Sequence, residues 1–143
     1  MAALTVAGWA GFSRYGQAQS PASDKTAFEA VCGKCHAASL VADLRSQGEW
    51  EETVNKMVSL GAQGTDEQFD AVMRYLLKNL TKVNVNTAEP AELVPVLEIN
   101  EAAAEALVKY RTQHGPFKSL DELKKAPGVN AEKLEFLKEK IVF

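Results

Sequence analysis

Positive charge is in short supply in this chain. Sixteen Lys and Arg stand against 19 Asp and Glu, a formal net charge of -3 over 143 residues. An affinity carried by a broad basic surface is therefore disfavoured. No stretch approaches the ~20 consecutive apolar residues that a membrane-spanning helix needs. Histidine occurs only at positions 36 and 114, and cysteine only at 32 and 35, so no disulfide framework exists. What remains, 46% hydrophobic and 24% charged residues, is ordinary for a soluble globular chain of one domain or two small ones.

The two cysteines are adjacent to one of the histidines. Cys32, Gly33, Lys34, Cys35 and His36 read C-x-x-C-H, the signature of covalent haem c attachment. Two thiols on one turn can each add to a vinyl group of the same porphyrin, and the neighbouring imidazole then faces the iron. A redox dithiol, half a zinc site and a structural disulfide are the competing readings. Zinc would want a second ligand pair, which distant His114 does not supply. A thioredoxin-like dithiol would need a βαβ setting, and no strand pattern flanks the motif. One haem c is thus the expected cofactor, and thioether attachment implies a periplasmic or otherwise extracytoplasmic protein. Ala2 to Gly11 is a short apolar run followed by the small-residue stretch Gly16-Gln17-Ala18. Residues 1–22 therefore resemble a secretory signal or a flexible tail, although a basic start is missing.

From Asp24, a candidate N-cap, the pattern turns helical with Phe28 and Val31 on one face. Residues 37–48 read as an irregular stretch. Trp50, Val54, Met57 and Val58 then mark an amphipathic helix over Glu49 to Leu60, stopped by Gly61. Thr65 is expected to cap a helix through Phe69, Val72, Met73, Leu76 and Leu80, with Asp66 and Glu67 where the dipole favours carboxylates.

The stretch 23–81 resembles a small class I cytochrome c, of the compact monohaem type found with periplasmic dehydrogenases. The resemblance rests on C-x-x-C-H, on Phe28 four residues before the first cysteine, on Tyr75-Leu76 in the last helix, and on the run Arg45, Trp50, Val54, Met57, Gly61-Ala62. It implies that the helix of Phe28 crosses the helix of Tyr75. It also implies that Cys32, Cys35, His36, Met57, Arg45 and Trp50 contact the cofactor, with His36 and Met57 as iron ligands. A thioether opposite an imidazole suits a closed, electron-carrying iron. Met73, in the middle of an apolar stripe, is the alternative ligand, although a methionine there is more often core. Arg45 is a candidate partner for a propionate, and Lys34 is read as solvated. The proline that many such cytochromes carry shortly after the histidine is missing here, so another carbonyl must hold His36.

Composition changes at Lys82. Helices are expected near 89–96, 101–111, 119–125 and 130–141, with Thr87 as a capping candidate and Ser119 with Glu122 as a capping box. Val83-Asn84-Val85-Asn86-Thr87-Ala88, Tyr110-Arg111 and His114-Gly115-Pro116-Phe117 make residues 82–143 resemble the tandem helix-hairpin-helix domain of competence DNA receptors of the ComEA type. The expected fold class is all-α: a cytochrome domain followed by this module. In that family, glycines let a hairpin's backbone amides approach a DNA phosphate. Here Glu98 stands where the first such glycine belongs, whereas the second hairpin keeps Gly128, followed by Asn130, which is able to adopt a left-handed conformation. Nine basic and ten acidic residues over 82–143 are a poor balance for DNA. His114 reads as a turn residue of the module.

The functional expectation is a periplasmic electron carrier, not an enzyme by itself, whose second module docks onto a redox partner protein or a membrane-associated oxidoreductase complex. The alternatives are a DNA-binding protein that carries a haem, and a haem sensor or enzyme with an open sixth position.

Overall fold

The computed structural model describes residues 21–143. The apolar run at Ala2 to Gly11 and the small-residue stretch after it lie outside the described residues. Two hydrophobic clusters organise the chain. One is built on Phe28, Val31, Trp50, Val72 and Leu76, the other on residues from Val83 to Ile141, with Leu93, Leu97, Leu107, Leu123 and Leu134 at its centre.

Helix α1 (Pro21–Cys32) begins earlier than the pattern suggests. Asp24 is therefore not its cap but lies in its first turn, where its carboxylate accepts from the Arg74 guanidinium at 2.9 Å. A short 3-10 turn, Ala38–Leu40, follows. Helix α2 (Gln47–Ser59) starts two residues before the expected Glu49 because Ser46 and Glu49 form a capping box: the Ser46 N–H donates to Glu49 Oε2 at 2.7 Å. Its end is a Schellman turn. Gly61 takes φ 98°, its N–H donates to the Val58 carbonyl, and the Ala62 N–H donates to the Met57 carbonyl at 2.9 Å. Helix α3 (Asp66–Asn79) is capped by Thr65 as expected, with Gln68 completing the box.

α3 packs along α1, and the crossing seats Phe28 on Tyr75 with ring centroids 4.5 Å apart. Phe28 is buried. Phe28→Ala should cost about 3–5 kcal/mol and give little stable protein. A normal yield and melting temperature would show that this crossing does not hold the cluster together.

The chain does not drift free after α3. Arg45 and Thr81 form a β-bridge, with the Arg45 N–H donating to the Leu80 carbonyl and the Lys82 N–H to the Arg45 carbonyl. Next come strand β1 (Val83–Asn84), α4 (Pro90–Leu97), α5 (Glu101–His114), α6 (Leu120–Leu123), α7 (Ala131–Leu137), a 3-10 turn (Lys138–Lys140) and strand β2 (Ile141–Val142). The purely helical expectation therefore needs amending, because β1 and β2 pair in parallel, Val83 with Ile141 and Asn84 with Val142. The expected last helix stops at Leu137 for the same reason: the chain tightens, then extends where β-branched Ile141 and Val142 favour a strand. Glu89 rather than Thr87 precedes α4, and Glu92 reaches back to the Glu89 N–H at 2.8 Å. At α6 only half of the expected box forms. The Glu122 N–H donates to Ser119 Oγ, but the Glu122 carboxylate takes the Lys118 N–H.

Candidate functional site

A cavity of about 310 Å³ opens between α1, α2 and α3. Its wall includes Phe28, Val31, Val41, Trp50, Val54, Leu60, Phe69, Val72 and Leu76, and the same lining contains Cys32, Cys35, His36 and Met57. Thr53, a polar group in that wall, is already satisfied: its hydroxyl donates to the Glu49 carbonyl at 2.7 Å and accepts from Arg45 Nη1 at 3.0 Å. The cavity thus offers carbon surface on its walls and two free thiols, an imidazole and a thioether as its reactive groups. Burial pushes the Cys32 thiol up from its usual range, keeping it protonated at neutral pH. Among the described residues no group of three or more His, Cys, Asp or Glu side chains converges as a metal cluster.

His36 Nδ1 lies 3.3 Å from the Ala37 carbonyl oxygen. With its proton on Nδ1 the ring donates there and leaves Nε2 as a lone-pair ligand. The neighbouring residue's own carbonyl can therefore do what a following proline's carbonyl does elsewhere. Met57 sits two residues before the last residue of α2, and its carbonyl is held by the Schellman turn, so the backbone beneath the thioether is fixed. Met73 packs against the α1–α3 cluster and is not part of the cavity lining. Trp50 is 1% exposed, and its indole N–H donates to the Leu80 carbonyl at 2.8 Å. The Arg45 guanidinium lies 5.0 Å from the Trp50 ring centroid and does not line the cavity itself. Lys34 is not simply solvated: its ammonium donates to the Gln63 carbonyl at 3.2 Å, tying the C-x-x-C-H loop to the turn after Met57. That tie had no signal in the sequence.

The second set of candidate residues lies at the α4–α5 and α6–α7 turns. Glu98 adopts φ 51°, ψ 44°, the left-handed region, and Gly128 takes φ 81° at the corresponding place. Asn100 caps α5 by accepting from the Ala103 N–H at 2.8 Å, and Asn130 caps α7 by accepting from the Lys133 N–H at 2.9 Å. Asn130 is therefore extended, not left-handed, because the cap requires it. The same shift in sequence carries Glu98 onto Gly128 and Ala103 onto Lys133, and the contacts obey it. Glu98 meets Lys133, and Gly128 meets Ala103. The Glu98 carboxylate lies 2.8 Å from Lys133 Nζ, and hydrogen bonding to that ammonium holds it below the usual carboxylate range. Its charge is thus compensated inside the molecule, and simple repulsion of a phosphate is weaker than the sequence suggests.

The remaining phrases of the second half are scaffold. The Asn86 amide accepts from the Phe117 N–H at 2.7 Å and donates to the Phe117 carbonyl at 2.8 Å. Arg111 Nη1 donates to the Val85 carbonyl at 2.7 Å. His114 ends α5 and stacks on Tyr110 at 4.1 Å, which in turn lies parallel to Phe117.

Two helical hairpins with paired left-handed turns agree with a family comparison: residues 78–142 match the model of the helix-hairpin-helix motif. Residues 78–142 thus carry the helix-hairpin-helix motif. Over 60 residues the chain is 40% identical to the bovine endonuclease/exonuclease/phosphatase family domain-containing protein 1, covering 42% of this chain and 10% of that protein. ComE operon protein 1 of Bacillus subtilis is 32% identical over 59 residues, 41% of this chain and 29% of that protein. An uncharacterised protein of Haemophilus influenzae is 36% identical over 63 residues, 43% of this chain and 56% of that protein. The chain thus spans about a tenth of the first of these relatives. No solved structure matches it. Among the described residues no helix is long and apolar enough to cross a membrane.

Proposed function

We propose that residues 23–81 form a monohaem cytochrome c domain that carries single electrons, joined to the helix-hairpin-helix domain of residues 82–143. The observation that carries this reading is the convergence of Cys32, Cys35, His36 and Met57 on one apolar cavity. The donor set fits the group: the two reduced thiols of Cys32 and Cys35 would hold the macrocycle through thioethers, and the His36 imidazole and Met57 thioether would bind its iron. When bound, haem supplies a one-electron couple whose potential a thioether ligand raises. The chain's own residues do the rest. Phe28, Val31, Val72 and Leu76 exclude water, Ala37 orients the His36 ring, the Schellman turn fixes Met57, and Lys34 closes the loop against Gln63. Arg45, engaged with Thr53 and Trp50 beside this wall, is the candidate partner for a propionate. Attachment of this kind takes place outside the cytosol, so we place the protein in the periplasm or an equivalent compartment.

Met57 and Met73 separate in one experiment. Met57→Ala should abolish the sulfur-to-iron charge-transfer absorption and let carbon monoxide bind the reduced protein, whereas Met73→Ala should do neither. The reverse result would transfer the ligand role to Met73. Carbon monoxide binding by the unaltered protein would instead favour a sensor or enzyme.

For the C-terminal half two readings compete. The comparisons favour nucleic-acid binding, since they match this half to the helix-hairpin-helix motif and to ComE operon protein 1. Docking onto a redox partner protein draws its support from the near balance of charge over 82–143 and from Glu98 at the first hairpin turn. The catalytic name of the bovine relative does not carry over, because the match covers only a tenth of it. Titration of a labelled duplex against salt discriminates: a steep loss of affinity with added salt marks phosphate contacts, and no binding at any salt leaves the docking reading.

A further inference from the structure

Glu98 is paired with one lysine and acted on by the charge of two more, one of them from α3. Lys133 of α7 reaches its carboxylate at 2.8 Å and its carbonyl at 3.2 Å. Lys78, in the last turn of α3, and Lys140, in the C-terminal 3-10 turn, also act on Glu98 through their charge. These two are joined, since Lys140 Nζ donates to the Lys78 carbonyl at 2.6 Å. Lys140 is half-buried, and its pKa is lowered first by that burial and further by Lys78, while Glu98 opposes the shift. One ammonium group thus pairs directly with the carboxylate, and two more act on it through their charge, in a domain whose overall charge is nearly balanced.

The carboxylate is held there at a conformational cost. A non-glycine residue in the left-handed region is disfavoured by about 1 kcal/mol or more, and such strain collects at functional positions. Stability gives little reason for it, because the Glu98–Lys133 pair is partly exposed, and pairs of that kind contribute about 0–1 kcal/mol. A glycine would fit the turn without strain.

We propose that Lys78, Lys133 and Lys140 form a phosphate-binding site spanning both halves of the molecule, and that Glu98 occupies it as an internal anion which a nucleic-acid phosphodiester displaces. The proposal rests on the nucleic-acid reading of the helix-hairpin-helix domain. Glu98 is then a gate. The weak, partly exposed ion pair exchanges for a phosphodiester of the same single charge that is one of many along a polyanion, and the end of α3 is drawn into the contact through Lys78. Binding by the unaltered protein stays in the weak non-specific range, ~10⁻⁴ M at physiological salt.

The test uses the full-length protein and a short fluorescent DNA duplex over a salt series. Glu98→Gln keeps the shape of the side chain, and Glu98→Gly relieves the strained φ, so both should melt near the parent temperature. Each should bind about tenfold more tightly, with a salt slope steeper by about one to three. Lys78→Ala with Lys140→Ala, added to Glu98→Gln, should return affinity to the parent value. If the parent binds DNA with a measurable salt slope and neither Glu98 variant binds more tightly, the gate is wrong while the nucleic-acid reading stands. If no variant binds even at the lowest salt, that reading fails and the proposal with it. If the Glu98 variants instead gain affinity for an oligoglutamate peptide and none for the duplex, the site serves an acidic protein partner and the proposal is overturned.

Discussion

Trp50→Ala should lose about 3–5 kcal/mol of stability, the cost of truncating a fully buried large aromatic residue. The side chain is 1% exposed, lines the cavity between α1, α2 and α3, and donates its indole N–H to Leu80. That carbonyl also receives the Arg45 N–H of the bridge that ties the chain between α3 and β1 back onto the first cluster. Truncation therefore opens a void and strips a hydrogen bond from the segment joining the two halves. Trp50→Phe isolates the second effect, at about 0.5–1.5 kcal/mol for one lost hydrogen bond, since the Leu80 carbonyl keeps the Arg45 N–H. Domains of this size are stable by only about 5–15 kcal/mol, so urea unfolding followed by far-ultraviolet circular dichroism should show the first cluster melting at far lower denaturant. An unchanged midpoint for both variants would mean that Trp50 supports neither the cavity wall nor the junction.

Gly128→Ala should be the most damaging small change in the C-terminal half. A Cβ at position 128 would stand 2.6 Å from the Ala103 Cβ and 3.0 Å from its Cα, closer than atoms can approach, and φ is 81°. Overpacking of this kind costs about 1–3 kcal/mol, and the left-handed conformation adds about 1 kcal/mol or more for a side chain. The two terms act on the contact that holds the α6–α7 turn against α5. A thermal melt should drop markedly for Gly128→Ala and much less for Gly115→Ala, where a Cβ meets nothing within 4 Å although φ is again positive. Equal losses would show that backbone strain alone, and not close approach to Ala103, is responsible.

Much of this was legible in the sequence where periodicity and capping chemistry are local. Thr65 and Ser119 announced the starts of α3 and α6, and Gly61 announced the end of α2. The Ser46-Glu49 box is equally local and places the start of α2 two residues before Glu49. The residues read as cofactor contacts fall on one cavity, apart from Arg45, which stands behind it. Three features had no local signal. The β1–β2 pair joins strands of two residues each at opposite ends of the domain, too short for an alternating pattern. The tie from Lys34 to Gln63 depends on how two loops meet. The pairing of Glu98 with Lys133 depends on the relation between two hairpins, so the sequence showed a carboxylate at the turn but not the lysine that pairs with it.

The claim on which the account turns is that Cys32 and Cys35 hold a haem. The direct measurement is the intact mass of the protein recovered from an exported expression system that includes haem-ligation machinery, taken after denaturation and treatment with a thiol alkylator. The account predicts the polypeptide mass plus one haem and no alkylation, with the gain reduced to weak or no retention in Cys32→Ala/Cys35→Ala. An unmodified polypeptide with both thiols alkylated, produced alongside a control cytochrome that is fully loaded, would contradict it.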